Sequence, residues 1–403
     1  MNEIPNGFKH SLIGLIPDDW NLCNIGDVAF IDRESLNGNT DPNFPFEYIS
    51  LSDVDDKTYT TSTIKFKDAP SRARRIVRPN DIIMSTVRPN LQGFAIIQKK
   101  ATPQIASTGF AVITANEIDN QYLFQSLFGR IISKQFYQLT VGSNYPAINS
   151  SDVKNLKIPV PPLPEQKKIA EILSTWDQAM ATTQKLIEEI KLRNKGLAQQ
   201  LLTGKKRLKG FEGEWKEKPL SSFLQFYKEK SKSDDVFPVF SSSKEGLVMQ
   251  TEYYGGENRI TQKDIGDFNI IPPDYFTYRS RSDDGIFTFN KNTHGITGVV
   301  SKYYPVFTFK NASPDFCHRI LNFNWHKISR FSVGTSQRVL GEKDFKSISF
   351  PIPTLPEQEA INSVLSEADK ELQLHQKQLD TLKEQKKGLM QKLLTGEIRV
   401  KTE

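Results

Sequence analysis

The chain has 403 residues, 37% hydrophobic and 25% charged, with a net charge of +6; that is enough for two or three domains with cores of their own, in a water-soluble balance. No run approaches the roughly eighteen apolar residues of a membrane-spanning helix, and the opening MNEIPNGFKHS lacks the apolar core of an export signal. Two distant cysteines, Cys23 and Cys317, exclude a disulfide framework and a cysteine zinc site, so a reducing, cytoplasmic setting with no membrane is expected.

The first 157 residues read as mixed α/β. RPNDIIMSTV (78–87) and GFAII (93–97) have strand composition. Basic side chains gather just ahead of and between them: Arg72, Arg74, Arg75, Arg78 and Arg88, followed by Asn90 and Gln92. Arg neutralises phosphate, and Arg, Asn and Gln can also pair bidentately with base edges. A single Arg more often serves a surface or an ion pair; as a group beside polar loops these residues favour DNA. A helical stretch follows (121–139), then the loop GSNYPA (142–147). Asn144 and Tyr145 there could reach a base, although the loop fits a plain helix-to-strand turn equally well.

Residues 158–205 form a different kind of segment. IPVPPLPEQKKIAEIL opens it, KGLAQQLLTG closes it, and no proline interrupts the helix between. The leading prolines impose an extended approach. Pro164 fits the first helical position, with Glu165 and Gln166 behind it and the carboxylate favouring the positive helix end. Gly204 is the expected stop.

Residues 206–349 again read as mixed α/β. IFTFN (286–290) and GVVSKYYPVFTF (298–309) predict strands, and residues 315–331 predict a helix. YRSRSDDG contributes Tyr278, Arg279 and Arg281 as DNA candidates; NKNTHG contributes Asn292 and His294; the loop GTSQRV contributes Gln337 and Arg338. Then FPIPTLPEQEAINSVL begins residues 350–403, repeating the earlier phrase with Pro356, Glu357 and Gln358 and ending in KGLMQKLLTG.

The two proline-led segments align without a gap from Pro159/Pro351 to Leu208/Val400, and roughly 22 of 50 positions are identical. Each predicts one helix of about 38 residues, or roughly 57 Å. Apolar residues recur with heptad spacing: Leu173, Met180, Ile187 and Leu201 in the first copy, Leu365, Leu372, Leu379 and Leu393 in the second. Polar residues break the seam at matching places, Thr183/His375 and Asn194/Lys386, which fixes register and partner choice. The simplest expectation is that the two helices pack on each other within one chain.

Catalytic signatures are missing. There is no G-x-x-x-x-G-K-[ST] phosphate loop and no G-x-G-x-x-G after a strand. IIPPDY (270–275) carries Ile271 and Asp274 where a base-holding methyltransferase loop needs other residues, and reads as a proline turn.

The doubled PLPEQ-type phrase, the long helix after each and the paired LLTG endings make the chain resemble the specificity subunit of type I restriction-modification enzymes, over its whole length. The resemblance implies an α+β chain: two α/β target recognition domains (1–157 and 206–349) separated by two long antiparallel coiled-coil helices (158–205 and 350–403), with a pseudo-two-fold internal repeat. It implies that each domain reads one half of a split double-stranded DNA site. It further implies that two modification subunits dock on the frame, that two restriction subunits join them, and that Pro164, Glu165, Gln166, Pro356, Glu357 and Gln358 belong to the frame or its partner contacts. The chain would hold no cofactor and catalyse nothing; S-adenosylmethionine, ATP and Mg²⁺ would be bound by the partners. The reader of another modification system, including a type IIB-like one, and a coiled-coil adaptor that does not touch DNA are the competing readings.

Overall fold

Ile82–Ser85 is buried along its whole length, and its side chains go to two different cores: Ile82 and Met84 to one, Ile83 to another. A strand covered on both faces reads as a continuous apolar run, which is how IIMS looks in the sequence. The structure, a computed structural model, describes residues 4–140, 146–232, 236–253 and 266–402. Their contacts define two units: residues 1–185 with 377–403, and residues 186–376. No described helix is long and apolar enough to cross a membrane.

Unit 1 contains two four-stranded sheets. One has the order Phe94–Ile96, Ile82–Ser85, Phe110–Ala115, Ala29–Ile31 and is antiparallel. The other has the order Ser62–Lys65, Pro45–Ile49, Gln104–Ser107, Ala73–Val77, with a parallel pairing between its two central strands. The helix expected at 121–139 is two helices, Asn120–Leu127 and Arg130–Thr140. They part around Gly129, where Leu394 packs so closely that a Cβ would lie 3.1 Å from its Cδ1.

Unit 2 has a sheet of order Leu224–Tyr227, Val306–Phe309, Phe276–Tyr278, Phe289–Lys291. Its core is largely phenylalanine; the Phe289 and Phe345 rings stack 5.1 Å apart. The stretch 298–309 is not one strand. Gly298–Val300 and Val306–Phe309 belong to different ladders, separated by a turn in which Tyr304 N donates to Ser301 O. The helix expected at 315–331 also divides, into Pro314–Phe323 and Trp325–Ser329.

The two long helices are Leu163–Leu202 and Leu355–Thr395, of 40 and 41 residues, about 60 Å each. Each starts one residue before its Pro-Glu-Gln, so Pro164 and Pro356 are second rather than first. Both end at a left-handed glycine, Gly204 at φ +69° and Gly396 at φ +73°. In unit 1 the beginning of the first helix lies against the end of the second: Ile169, Ala170 and Leu173 share a core with Leu389, Leu393 and Leu394. In unit 2 the roles reverse, and Leu201 and Leu202 share a core with Ile361 and Leu365. The pairing is antiparallel in both. Matching polar seam positions serve it: Lys386 Nζ lies 2.6 Å from Asp177 Oδ1 in unit 1, and Asn194 Nδ2 donates to Ala368 O at 2.8 Å in unit 2. Thr183 instead returns its hydroxyl to Ala179 O of its own helix.

Candidate nucleic-acid interface

The frame is built the same way in each unit. Gln166 Oε1 accepts from Asp119 N at 2.7 Å while its Nε2 donates to Pro161 O at 2.8 Å. Gln358 does the same with Ser313 N and Pro353 O, at 2.8 and 2.9 Å. Asp119 and Ser313 both stand at the N-cap of a domain helix, so each glutamine ties a domain to the start of its long helix. The neighbouring glutamates are buried and answered by an arginine from the other copy. Arg399 grips Glu165 with two bonds of 2.8 Å, and Trp20 Nε1 donates to the same carboxylate. Arg207 grips Glu357 at 2.6 and 2.7 Å. These four residues serve the frame from inside; Glu165 and Glu357, at 3% and 1% exposure, present nothing to a partner surface. Pro164 and Pro356 are exposed.

In unit 2 the sequence candidates separate by side-chain direction. Arg281–Ser282 pairs with Arg338–Val339, Arg281 opposite Val339. That ladder brings Arg279, Arg281, Gln337 and Arg338 to one region of the surface. Arg279 and Arg281 are exposed and line a cleft of about 360 Å³ with Ser242, Ser243 and Lys244. Its floor is not uniformly basic: Asp284 pairs with Lys244 at 2.6 Å and Asp283 accepts from Gln337 at 3.2 Å. The Lys244 ammonium, with Ser282 and Ile286 N, holds the Asp284 carboxyl well below the usual range. Arg281 also lies over the Tyr303 ring, 4.9 Å from its centroid. Arg338 is half-buried and donates to Ser332 O.

Three candidates in this unit are structural instead. Tyr278 is fully buried, its hydroxyl donating to Leu340 O, and burial pushes the phenol far above its usual pKa. Asn292 is 1% exposed and spends its amide on Ile271 O and Ile296 O. His294 stacks on Phe240 and bonds Leu247 O. Tyr278 and Asn292 have no free polar edge for a base, and the His294 ring is held through Nε2. Lys244, in the Ser-rich run SSSKEG, was the residue that pattern reading passed over.

Unit 1 scatters its candidates more. Arg72 is exposed. Arg74 bonds Ala73 O and covers the Phe66 ring, and Arg75 pairs with Asp32 at 2.9 Å; both are held by the fold. Arg88, Asn90 and Gln92 lie on a short turn, Pro89–Leu91, flanked by left-handed Arg88 (φ 48°) and Gln92 (φ 56°). Arg88 N donates to Pro146 O, which fixes the turn beside the following loop. Asn144 and Tyr145 of that loop lie outside the described residues. Among the described residues no group of His, Cys, Asp and Glu is placed to hold a metal ion.

Known proteins are similar to this chain over nearly its whole length. The type I restriction modification DNA specificity domain matches twice, at residues 17–192 and 212–384. The type I restriction enzyme MjaVIII specificity subunit of Methanocaldococcus jannaschii is 26% identical over 418 residues, covering 96% of this chain and 94% of that one. Among solved structures, the HsdS subunit of Thermoanaerobacter tengcongensis matches with a TM-score of 0.53 at 21% identity, over 95% of this chain and 98% of that one. A chain from a type I R-M system studied for its complex assembly matches with a TM-score of 0.64 at 21% identity, over 95% and 99%. With two copies of the domain, each carrying the same glutamine tie and buried glutamate, the chain belongs to the type I restriction-modification DNA specificity family.

Proposed function

We propose that the chain is the non-catalytic, DNA-reading subunit of a type I restriction-modification complex in the cytoplasm. Each variable domain reads one half of a bipartite double-stranded site. The helical frame carries two modification subunits, which bring S-adenosylmethionine for N6-methylation of adenine, and two restriction subunits, which use ATP and Mg²⁺. The observation that carries this reading is the repeated frame junction, Gln166–Asp119 and Gln358–Ser313, built onto domains whose exposed basic residues differ. A shared junction suits two equivalent partners, and unlike domains suit two unlike half-sites.

In unit 2, Arg279 and Arg281 can supply either bidentate pairing with guanine or phosphate contacts. The test is methylation mapping of the host genome with and without this gene. A bipartite adenine motif that vanishes on deletion supports the reading. Unchanged methylation, with no salt-dependent DNA affinity of the purified chain and its modification subunits, would refute it.

A further inference from the structure

In unit 1 a cleft of about 460 Å³ opens between the first domain and the end of the second long helix. Lys57, Arg130, Lys383, Lys386 and Lys387 line it, with Gln92 at its edge. The nearby carboxylate of Asp177 is already taken by Lys57 and Lys386, each with Nζ 2.6 Å from Oδ1. Arg130, Lys383 and Lys387 are exposed and have no carboxylate partner among the described residues. Burial, and then the charge of Lys57, push the Lys386 ammonium down to about 8.

Only part of this charge recurs in the other copy of the frame. At the matching positions of unit 2, Asn194 stands for Lys386, and Lys191, the counterpart of Lys383, pairs with Glu188, while Lys195, the counterpart of Lys387, keeps an exposed charge. The counterpart of Asp177, Asp369, pairs with Arg319. The excess of positive charge is therefore greater in this copy, and it calls for an anion from outside.

We propose that this cleft is a phosphate clamp for the DNA backbone next to the half-site read by the first domain. The proposal rests on the DNA-reading function proposed above. Gln92 makes the cleft continuous with the exposed turn carrying Arg88 and Asn90. Lys383 and Lys387 are one helical turn apart, about 6 Å, while phosphates follow each other every 3.4 Å along the axis of a strand. Two such point charges can serve neighbouring phosphates. Phosphate contacts position a protein without specifying sequence, so the clamp adds affinity and register but reads no base.

The test uses the full chain with its modification subunits and a mixed-sequence duplex. In Arg130→Gln/Lys383→Gln/Lys387→Gln the slope of log K against log salt should fall by about 2–3, at about 0.9 per phosphate contact. The methylated motif should stay the same. Because these side chains are exposed and unpaired, the fold should survive, and Lys383→Gln/Lys387→Gln alone should lower the slope by about 2. An unchanged slope overturns the clamp while leaving the DNA-reading function standing. Loss of co-elution with the modification subunits at unchanged slope overturns it in favour of a protein dock. Failure of the wild-type complex to bind DNA at all would sink the underlying reading and the clamp with it.

Discussion

Replacing Lys386 by methionine should stabilise unit 1, although it deletes an ion pair. The side chain is 6% exposed and occupies a heptad seam position. Its ammonium and that of Lys57 share one oxygen of Asp177, with Gln125 bonded to the other. Burial works to raise Asp177, but Lys386, Lys57 and Gln125 outweigh it and hold the carboxyl below the usual range. The lysine is the under-compensated partner: burial and Lys57 bring it down to about 8 although Asp177 works to raise it. Truncating a buried pair is usually expensive because the other charge is orphaned. Here Asp177 keeps Lys57 and Gln125, so the carboxylate is not orphaned, and the loss is confined to the 3.2 Å bond that Lys386 donates to the buried Gln125 Oε1.

The size follows from linkage. The folded lysine gives up its proton near pH 8 and the unfolded one near the usual 10.5. Between those values the unfolded chain holds more protons, so wild-type stability should rise with pH. The full window is worth about 3 kcal/mol at 1.36 kcal/mol per pH unit. Relaxation and water entry reduce it, leaving a gain of about 1–2 kcal/mol for K386M at pH 7 that fades by about pH 10. Urea titrations in a Trp215→Phe/Trp325→Phe background would let Trp20 and Trp176 report on unit 1. A variant less stable than its parent at pH 7, or one that keeps the parent's rise toward pH 10, would refute the reasoning.

Other substitutions probe the frame and the interface. Gln358→Ala strands the buried Ser313 N–H and Gln166→Ala the partly buried Asp119 N–H, and they should cost about 1–3 kcal/mol in urea unfolding of the unit concerned, more for Gln358→Ala. Gly396→Ala should cost more than Gly204→Ala in thermal melts: both force a left-handed alanine at about 1–2 kcal/mol, but only at Gly396 does the new Cβ fall 2.3 Å from Pro17. Arg279→Ala or Arg281→Ala, where the arginine pairs with a guanine, should lose about 1–3 kcal/mol of DNA affinity and relax one position of the methylated motif. Tyr278→Phe, next to Arg279 in the chain, should leave the motif intact and lower only stability, by about 1 kcal/mol for the hydrogen bond to Leu340 O; a changed motif would make Tyr278 part of the interface.

The frame was legible because its signals are local and periodic. Prolines, a heptad seam and a terminal glycine each act on neighbours a few residues away, so a single copy declares its helix and the second copy confirms the reading. What binds Glu165 was also written there, since Arg207 and Arg399 are the last identical pair of the repeat, but identity alone does not say which arginine meets which glutamate. Antiparallel pairing decides it, by placing the end of one helix at the start of the other. Exposed and buried members of the candidate run YRSRS were not separated, for a reason of period. In YRSRS, alternate residues of extended chain face opposite ways, so Arg279 and Arg281 share a side that Tyr278 leaves; taking the run as a block mixed core with surface. The basic cleft of unit 1 lay beyond any such pattern. Lys57, Arg130 and Lys383–Lys387 come from three distant segments, and on the helix alone Lys383 and Lys387 look like an ordinary solvated face. Their charge becomes an excess only after folding has spent Asp177 on two other lysines, so the quantity that marks the site is a balance among residues more than 300 positions apart.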